Sequence, residues 1–337
     1  QKVYEKSFQP EYLRVCDLKV KNPLCQIPLG KSTLKKYKFP YLTILRSDLH
    51  KILENEIVEK NNISLIRSCK IKSLEKNKQH ITLFDDNGKN YKSHALIGCD
   101  GVWSNVKQMI FNKPYPKVSD STAFRTKIKN FYIKKNYNLG GVIVWFSNNC
   151  HIVAYPVNKG NEINIVVVTK QTFDNNNFGW SHPCKLNDFS HLLGKISNFE
   201  ISMILEQTSE WFRWPIYFNN PIKHINEMTN NSVILLGDAA HPMKPHLAQG
   251  ACMALEDSFQ LKCELKKNIL KKRIDWKNIF KSLSRKRIQR IRRVQKKSIV
   301  NGHIFQLNGI FRLLRNLSIK FFGRYLLDQK WLFKNFS

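Results

Sequence analysis

Apolar and polar residues alternate along much of the chain. Where the alternation stops, the spacing becomes that of a helix or gives way to an unbroken apolar run. Residues 11–19 (Glu-Tyr-Leu-Arg-Val-Cys-Asp-Leu-Lys) alternate as an extended segment, and residues 26–30 close a second one. Residues 41–45 read as a strand. Beyond them Leu49, Ile52, Leu53 and Ile57 form a helical stripe, with Ser47 placed to cap it. Strand-like runs and turns alternate from 63 to 97, and Asp85-Asp-Asn-Gly88 is a hairpin signal. Between 110 and 225 extended runs dominate (121–127, 142–146, 151–157, 163–168), separated by clusters such as Asn158-Lys-Gly-Asn161. This predicts a largely antiparallel sheet inserted between α/β segments. After Asp257 the pattern is helical.

Two stretches depart from alternation in the same way. Residues 231–257 read Asn-Ser-Val-Ile-Leu-Leu-Gly-Asp-Ala-Ala-His-Pro-Met-Lys-Pro-His-Leu-Ala-Gln-Gly-Ala-Cys-Met-Ala-Leu-Glu-Asp. The apolar run 233–236 suits a strand buried on both faces of a parallel sheet, and Gly237-Asp238 ends it with a carboxylate. A proline-bracketed loop, 242–245, then feeds a helix expected to open near Ala248 with Ala251, Leu255 and Phe259 on one face. Strand, acidic turn and helix N-terminus make the usual seat of a nucleotide-like ligand. The carboxylate accepts from a ribose hydroxyl, and the free N–H groups of the first helical turn face an electron-rich group. Residues 94–107 (His-Ala-Leu-Ile-Gly-Cys-Asp-Gly-Val-Trp-Ser-Asn-Val-Lys) repeat this plan, with Ser104 placed to cap the helix that follows.

With these motifs the chain resembles the class A flavin-dependent aromatic monooxygenases of the salicylate hydroxylase-like group. Their second flavin motif reads Gly-Asp-Ala-Ala-His-Pro-Met, then Leu-Ala-Gln-Gly-Ala; their Asp-Gly motif reads Gly-Ala-Asp-Gly-x-x-Ser-x-Val-Arg. The resemblance implies an α/β fold: a Rossmann-like FAD-binding domain of the p-hydroxybenzoate hydroxylase type, split by a mainly antiparallel β substrate domain, with a helical C-terminus. The implied boundaries are 1–109 and 226–300 for the flavin domain, 110–225 for the substrate domain and 301–337 for the C-terminal helices. It also implies FAD, reduced by NADH or NADPH, and O₂ as the source of an oxygen atom transferred to a small aromatic, such as the hydroxylated acid salicylate.

Residue by residue, the resemblance puts Asp238 on ribose and Arg46, Asp100 and Gly101 near the cofactor. Gly250 and Ala251 fall at the helix start that faces the flavin ring. Tyr217 matches the tyrosine that takes the substrate's phenolic proton. That role is physically sensible, because a phenolate ring is the better nucleophile and a lined-up phenol can relay the proton. Arg213 could hold a substrate carboxylate bidentately.

Two departures stand out. Leu45 occupies a position where many relatives carry a histidine. The chain also contains no Gly-x-Gly-x-x-Gly, so it is expected to begin after that unit, with weakened flavin affinity. Two other functions therefore stay open: a truncated, inactive remnant that does not retain FAD, and a hydroxylase of a membrane-borne quinone precursor. The superficially P-loop-like Leu29-Gly-Lys-Ser-Thr33 is rejected, because Cys25 stands where that motif needs glycine.

Composition adds a large charge: 56 Lys+Arg against 25 Asp+Glu, formally +31. The basic residues run along the whole chain with no nucleic-acid motif, so the charge is read as a pull on small anions and not as a nucleic-acid surface. The run 285–293 (Arg-Lys-Arg-Ile-Gln-Arg-Ile-Arg-Arg) is its densest part. Eight cysteines form no Cys-x-x-Cys pair, and several, such as Cys99 and Cys252, sit in apolar runs. They are expected to be reduced, buried thiols of a cytoplasmic protein, monomeric or homodimeric, without a metal site. No apolar stretch is long enough to span a membrane. Residues 310–327 mix apolar residues with Arg312, Arg315, Lys320 and Arg324, which would suit a membrane surface. Docking on the chain's own domain or on a second subunit is the expectation there, and no membrane partner is assigned.

Overall fold

The structure, a computed structural model, describes residues 1–77, 79–129, 139–172, 181–268 and 274–333. Contacts divide the chain into two units, one of residues 1–65, 120–215 and 303–337, the other of residues 66–119 and 216–302.

The first unit is built on an eight-stranded sheet. Its strands are β1 (Tyr12–Asp17), β2 (Cys25–Pro28), β7 (Lys117–Lys129), β8 (Val142–Phe146), β9 (Cys150–Val157), β10 (Glu162–Thr169), β11 (His182–Cys184) and β12 (Trp211–Phe218). They lie in the order β11-β12-β7-β10-β9-β8-β1-β2. The long antiparallel ladder β7-β10-β9 is the sheet expected from the alternation, with Val167 opposite both Phe124 and Ile152. β1 joins parallel to β8, with Val15 opposite Val144. This pairing groups residues 1–65 with the inserted sheet, whereas the resemblance assigns them to the flavin domain. One face of the sheet buries Phe124, Ile143, Trp145, Ile152, Ile165 and Val167. Two short helices, α5 (Ser190–Leu193) and α6 (Phe199–Glu206), cover it with Leu193, Ile201 and Ile204. Phe124 stacks on Phe189 at 4.1 Å, and the Trp145 indole donates to Asn198 at 3.2 Å.

The N-terminal segments differ from expectation. Residues 41–45 form no strand beyond a single bridge between Phe8 and Thr43. The helix that follows, α3 (Arg46–Val58), starts one position before Ser47. The extended backbone of Leu45 already presents its carbonyl to Leu49 N at 3.1 Å, so Leu45 is the N-cap and Ser47 lies inside the helix. Two more short helices, α1 (Lys2–Lys6) and α2 (Gly30–Tyr37), flank β1 and β2 in sequence. The C-terminal α9 (Gly309–Leu327) and α10 (Lys330–Phe333) complete the unit.

The second unit holds two small sheets. β3 (Ile71–Lys76), β4 (Ile81–Asp85) and β5 (Asn90–Ser93) form an antiparallel meander. Its 85–88 turn is the expected hairpin: Gly88 takes φ +80°, and the Asp85 carboxylate accepts from the backbone of Asn87 and Lys89. The other sheet is β13 (Thr229–Asn230), β14 (Val233–Leu235) and β6 (Leu96–Gly98), with β14 parallel to β6. Around it lie α4 (Asn105–Phe111), α7 (Gly250–Asn268) and α8 (Trp276–Phe305).

Two expectations are corrected here. The face of α7 carrying Ala251, Leu255 and Phe259 is exposed, while Met253, Glu256, Asp257 and Glu264 are buried. The helix turns its acids inward because α8 presents arginines to Glu256 and Asp257 and Lys286 to Glu264. Likewise Cys99 and Cys252 are exposed, since they stand at a strand end and on the open side of α7; Cys16 and Cys150 are buried, and all eight thiols are free. Among the described residues no His, Cys, Asp or Glu group could hold a metal, and no helix is long and apolar enough to cross a membrane.

Candidate active site

β6 and β14 end side by side. Leu235 is in register with Gly98, and Leu236 N donates to the Gly98 carbonyl at 3.0 Å. The strands approach so closely that a Cβ on Gly98 would stand 2.7 Å from Leu235 Cδ2 and 3.2 Å from Val106. Both chains then turn sharply: Gly101 takes φ +78°, and Gly237, at φ +57°, opens a single helical turn over Gly237–Ala239. These turns leave Asp100 and Asp238 exposed at the carboxyl ends of adjacent parallel strands, the position where open α/β sheets take their ligands.

The two acids have different neighbours. Asp100 Oδ2 accepts from Val106 N at 3.1 Å, and Ser104 caps α4 as expected by accepting from Lys107 N at 2.9 Å. Asp238 faces the start of α7, where a Cβ on Gly250 would lie 4.0 Å from its Oδ1. Ala248, at φ +51°, makes the bend into that helix, and Ala251 is exposed in its first turn.

Behind the 237–241 turn lies a buried charge network. Asp257, with no exposed surface, accepts from Gly237 N at 3.1 Å and from Arg287 Nε at 2.8 Å; His241 Nε2 lies 2.7 Å from it. Glu256 takes both Arg287 and Arg290, the latter bidentately at 2.6 and 2.7 Å. Burial alone would raise the Asp257 carboxyl, but His241 and Arg287 outweigh it and hold it below the usual carboxylate value. The basic run therefore points partly inward. Further along α8, Gln295 donates to the Pro242 carbonyl and Asn301 to that of His246, so the proline-bracketed loop is clasped from one side. Just before that loop Lys107 Nζ donates to the Ala240 carbonyl at 3.3 Å, and burial pulls this amine below the ordinary lysine value.

Tyr217, half-buried near the end of β12, meets Trp103 edge-on with ring centres 5.0 Å apart. Desolvation raises its phenol above the ordinary value, so it is neutral at physiological pH. Asp100, Gly101, Asp238, Gly250, Ala251 and Tyr217 thus all fall in the second unit. Arg46 and Arg213 fall in the first. Arg46 opens α3 and is exposed; Arg213 is half-buried, opposite His182 on β11. Arg125, on β7, stands 5.1 Å over the Trp214 ring. Burial pulls its guanidinium below the ordinary value, Tyr155 opposes this and Arg46 adds to it. Arg125, Asn164 and Trp214 line a cavity of about 370 Å³.

Sequence reasoning did not single out Asp257, His241, Arg287, Glu256, Trp103 or Arg125. A faint signal existed for four of them. Glu256-Asp257 interrupts an otherwise apolar helical start, Arg287 and Arg290 are one turn apart, and Arg125 follows Ala123-Phe124 in an extended run.

Residues 28–297 match the family described as FAD binding domain. The chain belongs to this family of class A aromatic monooxygenases. It is 30% identical to 3-hydroxybenzoate 6-hydroxylase of Polaromonas naphthalenivorans (strain CJ2), over 86% of this chain and 70% of that protein. Identity to 3-hydroxybenzoate 6-hydroxylase 2 of Aquipseudomonas alcaligenes is 29%, over 82% and 83% of the two. Among solved structures, a salicylate hydroxylase substrate complex superposes with a TM-score of 0.81 at 18% identity, covering 97% of this chain and 81% of that one, which bears on the fold. The monooxygenase is therefore an oxidoreductase with FAD as its cofactor and NAD(P)H as the usual co-substrate of such hydroxylases. Its second unit fits the group: an exposed carboxylate at a parallel strand end, a helix start opposite it, and a glycine where the two come closest.

Proposed function

We propose that the chain hydroxylates a small hydroxylated aromatic acid of the hydroxybenzoate class. The observation that carries this is the register of Leu235 with Gly98, which sets Asp238 and Asp100 beside one another at exposed strand ends. Bound FAD would supply the electron transfer and oxygen chemistry that no side chain offers. The protein does the rest. Asp238 would accept from a ribose hydroxyl, and Asp100 with Gly101 would hold the cofactor from the neighbouring strand end. The N–H groups at Gly250 and Ala251, at the start of α7, would hold the electron-rich flavin ring. Arg46 is assigned to the cofactor.

Tyr217 remains a neutral phenol, so its role is relay: it accepts the substrate's phenolic proton while passing its own on, which makes the ring more nucleophilic. Trp103 fixes its ring. Arg213, four residues earlier on β12, is assigned to the substrate carboxylate, and the net charge of +31 draws such anions in. The relatives' names support this substrate class, since both curated hydroxylases act on 3-hydroxybenzoate and the solved neighbour is a salicylate hydroxylase. The division into flavin segments 1–109 and 226–300 around a substrate segment 110–225 belongs to the same proposal, as does a cytoplasmic site of action for a chain of free thiols.

The test is reconstitution with FAD followed by NADH or NADPH oxidation in the presence of 3-hydroxybenzoate or salicylate. Mass spectrometry should show a product one oxygen heavier than one of these acids. A preparation that takes up no flavin, or that oxidises the nicotinamide without hydroxylating either acid, overturns the proposal.

A further inference from the structure

The last long helix is inverted. The buried positions of α9 are Arg315, Asn316, Ile319 and Gly323, and its closest partner is the fully buried Asp17 of β1. Asp17 accepts from Arg312 at 2.6 and 2.8 Å, from Arg315 at 2.9 Å and from Asn316 at 3.0 Å. Arg315 also donates to the carbonyls of Ile304 and Phe305 and covers the Phe146 ring at 4.8 Å. Near the far end Gly323 lets Cys25 approach, since a Cβ there would lie 2.5 Å from the thiol sulfur. A dense set of charged hydrogen bonds therefore fixes which side of α9 faces inward.

The side turned outward is apolar. Ile310, Leu314, Leu317, Phe321 and Tyr325 recur at helical spacing along one stripe, and every one is more than half exposed, Phe321 at 71% and Tyr325 at 87%. Single exposed apolar residues are ordinary; a continuous row along about four turns marks a surface that something covers. Lys320 and Arg324, both exposed, border the stripe, and Lys330 follows on α10. The acid in this region, Asp328, is already held by Lys36 and Tyr37 of α2. Lys31 and Lys35 of α2 are exposed as well, and Tyr37 and Phe333 pack with ring centres 4.7 Å apart, so α2 and α10 are joined.

We propose that this face of α9 docks, lying flat, on an anionic lipid surface. An apolar stripe edged with lysine and arginine is the composition of an interfacial helix, whose apolar side chains enter the acyl boundary while its basic residues meet headgroup phosphates. Charge selects the occupant. A second copy of the chain would bring another +31 and the same basic border, which opposes self-association, whereas an anionic leaflet offers both an apolar interior and the opposite charge. The helix is already folded and anchored through Asp17, so docking does not require it to order. This inference does not depend on the hydroxylase proposal, and its test needs neither flavin nor substrate.

The experiment is cosedimentation of the full chain with phosphatidylcholine vesicles, with and without phosphatidylglycerol. Binding is expected only when phosphatidylglycerol is present and should weaken at about 0.5 M salt, where surface charge is screened. Leu317→Glu with Phe321→Glu should lower the partition coefficient roughly tenfold or more. Lys320→Glu with Arg324→Glu should lower it several-fold. Both pairs point outward, so circular dichroism should show an unchanged fold. Absence of binding to the anionic vesicles overturns the proposal, as does undiminished binding by the Leu317→Glu, Phe321→Glu variant. A dimer in solution that this variant converts to monomer also overturns it, in favour of a second copy.

Discussion

The central sheet of the first unit and the Asp238 turn of the second are held by opposite means. In the first, the sheet β7-β10-β9-β8 is fixed by apolar side chains: Trp145, Trp211, Phe124 and Ile152 are buried without charge, and their alternation is visible in the sequence. In the second, the turn bearing Asp238 is fixed by charge, through Glu256, Asp257, His241, Arg287 and Arg290 packed out of water. An apolar core tolerates exchange of similar shapes; a buried ion network tolerates the loss of no single member, because each leaves an uncompensated charge behind. The turn bearing Asp238 thus rests on the less forgiving scaffold.

The largest effect should come from breaking that network. Glu256→Ala takes from the buried Arg290 the carboxylate it pairs with and leaves Arg287 to Asp257 alone, and should destabilise the protein by about 3–5 kcal/mol in urea unfolding. Trp145→Ala should cost a similar amount through a cavity, about 3–5 kcal/mol, but should leave flavin uptake by the folded fraction intact. A cost below about 1 kcal/mol for Glu256→Ala would erase the contrast drawn between the units.

Next in size, Tyr217→Phe should slow ring hydroxylation by roughly 100-fold while leaving flavin reduction by NAD(P)H nearly unchanged. Equal slowing of both steps in stopped-flow traces would remove Tyr217 from proton transfer. Asp238→Ala should weaken FAD binding by roughly 10- to 100-fold, the worth of one charged hydrogen bond, measured by flavin fluorescence titration.

Acid separates the units less than mutation does. Burial opposes ionisation of both Asp17 and Asp257, yet their arginine partners, with Asn316 at the first and His241 at the second, keep both carboxyls below the usual value. A depressed folded value means stability that is complete above the unfolded value of about 3.9 and lost as pH falls through the folded one. Urea midpoints should therefore decline below about pH 4, and Asp257→Asn should flatten the part of that decline due to the second unit. The smallest effect belongs to Leu255→Ala on the exposed side of α7, expected within about 0.5 kcal/mol of the native protein; a larger loss would show that this face is covered in solution.

Much of the fold was legible because period and motif are local. The strands of the inserted sheet, the 85–88 hairpin, the Ser104 cap and the strand–turn–helix plan around Gly237 and Asp238 all follow from neighbours in sequence. Ser47 was misread because a cap depends on where the preceding carbonyl points, and Leu45 supplies that carbonyl first. The burial of α7 was inverted because hydrophobic periodicity assumes that acids seek water, which fails when arginines from 30 residues away meet them. Cys99 and Cys252 failed for a different reason: an apolar neighbourhood in sequence is not burial.

The amino-acid order by itself determined the class of fold, the flavin family and the identity of the residues at the two strand ends, since each is written in short stretches whose backbone preferences and patterns act at close range. The tertiary structure decided which faces are covered. It placed Asp257 under the Gly237 turn, set Trp103 against Tyr217 and turned the apolar side of α9 outward through Asp17. Those outcomes depend on ion pairs and packing between segments up to 299 residues apart, and no local pattern carries that information.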